Sequence, residues 1–258
     1  MLTLKEIVET ERRVLLDNSA FGFENNISAE TMETKVGLII DAIEFFDSVH
    51  VLPDTLDEIS KLRRALNSSK KRFRIAIKKR EASETHFEIK AVYDEICSRL
   101  CSAKKLISCL KRKSFPAYDI PKFASFSRVV PYFEKTFRVK KERSDNKTDE
   151  MIVAAALFLT AYGTGSTAVV TGDSDITRLL KCSMDILARP ELEPDAKNIL
   201  ARARQQESGI KVYFRLPADN QPQNCYEIKF DSRKFIPLKV YNLSRNHIEA
   251  IRHYLQAA

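Results

Sequence analysis

The stretch Ala168-Val-Val-Thr-Gly-Asp-Ser-Asp-Ile-Thr177 sets an apolar run against two carboxylates one residue apart, Asp173 and Asp175. Three other acids stand in comparable places. Asp17 closes the run Val14-Leu-Leu16, Glu58 follows Ser48-Val-His-Val-Leu-Pro53 by about one helical turn, and Asp149 opens the apolar stretch that ends at Gly163. Carboxylates brought to one place raise each other's pKa, and a divalent cation relieves that repulsion. An all-oxygen donor set suits Mg²⁺ or Mn²⁺. Two such ions ~4 Å apart can activate a water and stabilise the leaving oxygen of a phosphodiester. Each acid also has a plainer role open to it. Asp17 can be a turn aspartate, Asp149 and Glu150 can be favourable first-turn charges, Asp54 can cap the helix after it, and Asp57 competes with Glu58 for the same position.

For this chemistry the acids must meet, and that requires particular elements. Short apolar runs bounded by polar clusters mark strands buried on both faces of a parallel sheet. Residues 13–17, 48–53 and 168–173 fit this pattern. Helical spacing occupies 36–46, a helix follows Asp54, and another runs from Thr148, its expected N-cap, to a stop at Gly163. A helix of roughly residues 3–11 opens the chain, and a further one runs from about Ser174 to Pro190. Strand and helix alternate at the spacing of right-handed crossover units, which predicts an α/β fold. In an open parallel sheet the strand ends meet in one crevice, usually where the strand order reverses.

The region between the second and third acids differs. Residues 60–147 carry 25 Lys or Arg against 9 Asp or Glu, whereas residues 1–59 carry 4 against 13. Ile89, Tyr93, Ile96, Leu100, Ala103, Ile107 and Leu110 alternate steps of four and three, forming one apolar seam that needs a partner. The helix through Leu62, Leu66 and Phe73 supplies that partner, so a helical hairpin is expected, with Phe73 in its core. Seven of the eleven residues 70–80 are basic. Such a block fits phosphate contact better than a merely solvated face. The expected nucleic-acid contacts are Lys70, Lys71, Arg72, Arg74, Lys78, Lys79, Arg80, Lys140, Lys141 and Arg143. Residues 114–131, rich in Pro, Ser and aromatics, read as a loop with short turns.

Val14-Leu-Leu-Asp-Asn-Ser19, Val51-Leu-Pro-Asp-Thr-Leu-Asp-Glu-Ile59, Thr148-Asp-Glu-Met-Ile-Val-Ala-Ala-Ala156 and Val169-Val-Thr-Gly-Asp-Ser-Asp-Ile176 resemble the four acidic motifs of the PIN-domain nucleases, in that family's order. The resemblance implies a three-layer α/β/α sandwich with a parallel central sheet. It also implies Mg²⁺- or Mn²⁺-dependent hydrolysis of RNA, with DNA as the alternative substrate. Asp17, Glu58, Asp149 and Asp173 take the catalytic and metal-binding positions, and Asp175 is a fifth metal ligand or a helix-capping group. The interval of some 85 residues between the second and third motifs makes this a long member of that pattern. The expected organisation is a core of 1–60 and 144–216, a basic helical insertion of 61–143, and a C-terminal β-rich extension of 217–258. That extension carries strands near 226–230 and 235–241 and a final helix through Ile248, Ile251 and Leu255.

Two other functions fit parts of the sequence. Asp173-Ser-Asp-Ile-Thr177 matches the DxDx(T/V) signature of haloacid-dehalogenase phosphatases, but only 81 residues follow it and that family's later groups need more chain. A catalytically silent PIN-like module that binds RNA or protein is the other. A homodimer through the helical arm and an inhibitory protein partner are open as well. No stretch has the ~20 apolar residues of a membrane helix, and the acidic opening residues do not suit a signal peptide, so a cytoplasmic location without membrane contact is expected. The five cysteines include no CxxC pair; Cys97 and Cys101 lie one turn apart without further ligands to complete a metal set, and free thiols are expected.

Overall fold

The computed structural model describes residues 2–23, 27–79, 85–116, 120–132, 148–163, 165–173, 175–206, 209–215, 225–231 and 236–241. The chain builds an α/β fold. Its strands are β1 (Val14–Leu16), β2 (Val49–Val51), β3 (Thr167–Thr171), β4 (Ile210–Phe214), β5 (Tyr226–Asp231) and β6 (Ile236–Tyr241). They form one sheet in the order β2-β1-β3-β4-β5-β6. The first four in that order are parallel, with Leu15 between His50 and Val169, and Val169 beside Val212. β5 and β6 continue the sheet in antiparallel fashion.

The helices are α1 (Leu4–Thr10), α2 (Ala29–Ile43), α3 (Pro53–Lys79), α4 (Thr85–Arg112), α5 (Pro121–Phe126), α6 (Thr148–Tyr162), α7 (Asp175–Leu187) and α8 (Pro194–Gln205). Both faces of the parallel strands are covered. Leu15, Val169, Val212 and Phe214 pack with buried residues of α5 to α8. Their neighbours Val14, Leu16, Ala168, Val170 and Tyr213 pack with residues of α1 to α4. This is the two-residue alternation of a strand, and with apolar side chains on both sides it gives the continuous apolar runs seen in the sequence. α6 lies deepest: Met151 to Phe158 are all buried, because its Ala-rich surface is apolar on every side.

α3 runs unbroken through residues 60 and 61, so the expected start of the insertion falls inside a single helix. It packs along α4, and Phe73 is half-buried against the core. The seam residues Ile96, Leu100, Ala103, Ile107 and Leu110 are buried, joined by Leu106 and Cys109, and α4 also packs on α2. The lower half of the hairpin is therefore part of the core that covers the sheet. Past α4, the Phe115 amide donates to the Val51 carbonyl at 2.8 Å, which pairs the outer edge of β2.

Several local expectations need correction. Residues 121–126 are helical, not loop; six residues are too few to display a helical period. Asp54 does not cap α3, because Pro53 already occupies the first helical position and Asp54 lies within the first turn. No element was expected at 194–205, yet Ala196, Ile199, Leu200 and Ala203 recur at helical spacing and are buried. The final helix expected around Ile248, Ile251 and Leu255 lies outside the described residues, as do Arg80, Lys140, Lys141 and Arg143. Among the described residues no helix is long and apolar enough to cross a membrane.

Candidate metal centre

From β1 the chain passes through α2 to β2 on one side, and β3 lies on the other side of β1. The connections leave β1 and β3 in opposite directions, which opens a crevice beyond their carboxyl ends. Asp17 follows β1 and Gly172-Asp173 follow β3, so both segments border that crevice.

Asp17 is 3% exposed. Its Oδ1 accepts a hydrogen bond from the Asn18 amide at 2.6 Å. Its Oδ2 accepts from the Ser19 hydroxyl and, at 2.8 Å, from the Thr171 hydroxyl. Burial pushes its carboxyl above the ordinary range, and these hydrogen bonds pull in the other direction. The same hydroxyls fix the end of β3. Ser19 Oγ accepts from the Gly172 amide at 2.7 Å, and Thr171 Oγ1 accepts from the Asp173 amide at 2.9 Å. A Cβ at Gly172 would stand 3.1 Å from the Ser19 carbonyl oxygen and 3.3 Å from that of Arg215, so a side chain there would press on the backbone on both sides of the end of β3.

Asp149 lies in the first turn of α6, Asp173 after β3, and Asp175 at the start of α7. Each of these three offers a carboxylate oxygen, and the three oxygens lie within 4.8 Å of one another. Burial and then the charges of Asp17, Asp173, Glu150 and Asp175 push Asp149 up to about 9. Asp173 Oδ1 accepts from the Asp175 amide at 2.9 Å, which ties the segment after β3 to the first residue of α7. Arg178 Nη1 pairs with Asp175 Oδ1 at 3.2 Å, with both side chains largely buried.

Glu58 borders this triad from α3. Its Oε1 accepts from the Thr148 hydroxyl at 2.9 Å, and burial followed by the charge of Asp17 raises its pKa. The Thr148 hydroxyl, expected as a cap, thus links α3 to the start of α6. Asp57 points elsewhere and pairs with Arg64 at 3.3 Å on the surface. The structure accordingly gathers Asp17, Glu58, Asp149, Asp173 and Asp175 in one region, with the last three as the close triad. The basic residues expected on α3 lie apart from it: Lys71, Arg72, Arg74, Lys78 and Lys79 are exposed, and the Lys70 ammonium sits 5.9 Å from the centre of the Tyr93 ring.

Ser19, Thr171, Arg178 and Arg215 were not singled out from the sequence. Arg215 is buried, donates from Nη1 to the Ala20 carbonyl at 2.7 Å and packs beside Gly22. A hydroxyl two residues after Asp17 and another two before Asp173 were the only available signals.

The donor set suits a hard divalent cation. Three carboxylate oxygens lie close together, and Asp149 is ionised only with difficulty while its neighbours are charged. An acidic triad of this kind can hold a metal ion. No protein-family model matches the chain, and no curated protein or solved structure matches it either.

Proposed function

We propose that the protein is a PIN-like, metal-dependent endoribonuclease, with Asp17, Glu58, Asp149, Asp173 and Asp175 forming the site for Mg²⁺ or Mn²⁺. The observation that carries this is the meeting of the Asp149, Asp173 and Asp175 oxygens at the sheet's switch point, with Asp17 and Glu58 beside them. The order and contexts of the four acidic motifs support it, and so does the basic stretch of α3.

Bound there, a divalent cation supplies Lewis acidity and neutralises charge at the phosphodiester. The chain's residues do the positioning. Ser19 and Thr171 hold Asp17 in one orientation and tie the ends of β1 and β3 together. Arg178 orients Asp175, and Thr148 orients Glu58. Locking acidic ligands through such hydrogen bonds is what gives a metal site its affinity. Lys61, whose charge bears on Glu58, is placed to meet a phosphate at the rim.

The purified protein is expected to cleave RNA internally with Mn²⁺ or Mg²⁺ and to stop on addition of EDTA. Asp149→Asn and Asp173→Asn should each reduce cleavage by at least ~10²-fold, the loss expected when a group that stabilises developing charge is removed. Parental activity in both variants would contradict the proposal. RNA binding without cleavage by the parent would favour the silent-module alternative.

A further inference from the structure

α3 connects two features of the molecule that are otherwise far apart. It is one 27-residue helix with Glu58 near its start and Lys79 at its end. Beyond Glu58 it contains no acidic residue. Positions 61, 65, 68, 72, 75 and 79 continue from Glu58 in alternating steps of three and four, so they form a seam on the same side of the helix. They are Lys61, Ala65, Ser68, Arg72, Ile75 and Lys79, and all six are exposed. Two small residues stand between the first two cations, and Ile75, 56% exposed, stands between the second and third.

We propose that this seam is a phosphate track that holds the strand whose cleaved bond lies at the acidic cluster. The inference rests on the nuclease function proposed above. At a rise of 1.5 Å per residue, Lys61, Arg72 and Lys79 stand about 5, 21 and 32 Å along the helix from Glu58. At the ~3.4 Å spacing of a duplexed strand, the far end of the track is about nine nucleotides from the cut. Ala65 and Ser68 let a backbone approach the helix closely, and Ile75 offers an apolar surface to a base or ribose. Arg64, Lys71 and Lys78 run beside the track at seven-residue intervals, and Arg64 is shared with Asp57.

The opposite flank of α3 provides an internal control. Arg63, Lys70 and Arg74 lie roughly half a turn away from Lys61, Arg72 and Lys79, given 3.6 residues per turn. Lys70 there sits over Tyr93 of α4. A purely diffuse attraction between a basic helix and a polyanion would use both flanks equally. A track would use one.

The test is fluorescence anisotropy with end-labelled RNA of about 6 and about 20 nucleotides, chosen to fall short of and to exceed the reach of the track, in EDTA so that the strand stays intact. The parent is expected to bind the longer RNA at least ~10-fold more tightly. The Lys61→Glu/Arg72→Glu/Lys79→Glu variant should lose that length preference, and its log affinity should fall less steeply with log salt, by about 2 for three phosphate contacts. The Arg63→Glu/Lys70→Glu/Arg74→Glu variant has the same net charge and should keep the preference; circular dichroism verifies that both variants remain helical. Equal weakening by the two variants, or a short RNA that binds as tightly as the long one, would overturn the track. A parent that shows the length preference but never cleaves with Mn²⁺ retains the track and loses the nuclease function. Cleavage that ignores length, with equally weakened variants, retains the function and loses the track.

Discussion

The two edges of the parallel sheet each hold a buried carboxylate site, and the sites have opposite electrostatic character. At the amino edge, Glu11 precedes β1 and is 5% exposed. Its Oε1 accepts from Lys211 Nζ and from the Tyr213 hydroxyl, both at 2.6 Å, and its Oε2 accepts from the Ser166 hydroxyl at 2.7 Å. Burial opposes its charge, but these hydrogen bonds and the lysine outweigh burial and hold the carboxyl below its ordinary range. At the carboxyl edge, burial and four neighbouring acids hold Asp149 far above its own. One edge carries its counter-charge within the chain and ties α1, β3 and β4 together. The other has an excess of acid that an external cation would balance.

Replacing the carboxyl by an amide should therefore act in opposite directions at the two edges. Glu11→Gln leaves the partly buried Lys211 without its partner and should destabilise the protein by roughly 3 kcal/mol in urea unfolding. Asp149→Asn should stabilise the metal-free protein at neutral pH, because folding forces Asp149 to take up a proton that the unfolded chain has released, and asparagine needs none. Destabilisation by both would mean that the carboxyl edge is a structural network like the amino edge.

The same contrast separates their pH dependence. Asp149 has a folded pKa of about 9 against an ordinary value of 3.8, so the native state holds a proton that the unfolded chain has released. Its contribution is full below ~4 and is lost as pH rises towards ~9. Glu11 behaves conversely, since its folded pKa lies below 4.5: its contribution is present above that value and is lost on acidification. In EDTA, thermal unfolding across this range should show a decline in stability on the alkaline side that Asp149→Asn flattens. Glu11→Gln should flatten only the acid limb.

Smaller effects refine the comparison within the carboxyl edge. Thr171→Val removes the hydroxyl that donates to Asp17 and accepts from the Asp173 amide. It should lower Mn²⁺ affinity by roughly 10–100-fold, the range found when a group that orients a ligand is lost. Asp57→Asn breaks only an exposed pair with Arg64, and should change stability by less than ~1 kcal/mol while leaving Mn²⁺ affinity unaltered. A large effect at Asp57 would put it, and not Glu58, at the centre.

Much of this arrangement is legible in the sequence. Short apolar runs that end on acids mark β1 and β3 with Asp17 and Asp173, because a strand buried on both faces has no room for polar residues until it emerges. Asp149 is visible at a helix start. The choice between Asp57 and Glu58 is not visible, since one residue of helical phase turns a side chain by ~100°. The links from Thr148 to Glu58, from Ser19 to Gly172 and from Thr171 to Asp17 are not visible for another reason: each joins residues distant in sequence, and only the pairing of β1 with β3 and the approach of α3 to α6 bring them together. The hairpin seam gave a partner for α3 but not the second partner, the sheet's α1–α4 face, that buries the lower half of α4.

Whether the acids at the carboxyl edge form a divalent-cation site can be measured without any substrate. Isothermal titration of the EDTA-stripped protein with Mn²⁺ at pH 7, in two buffers of different ionisation enthalpy, tests it most directly. Saturable binding with proton release from the cluster is expected, abolished in Asp149→Asn/Asp173→Asn and retained in Glu11→Gln under conditions where that variant is folded. Absence of saturable Mn²⁺ binding by the parent, or equal binding by Asp149→Asn/Asp173→Asn, would contradict a cation site there.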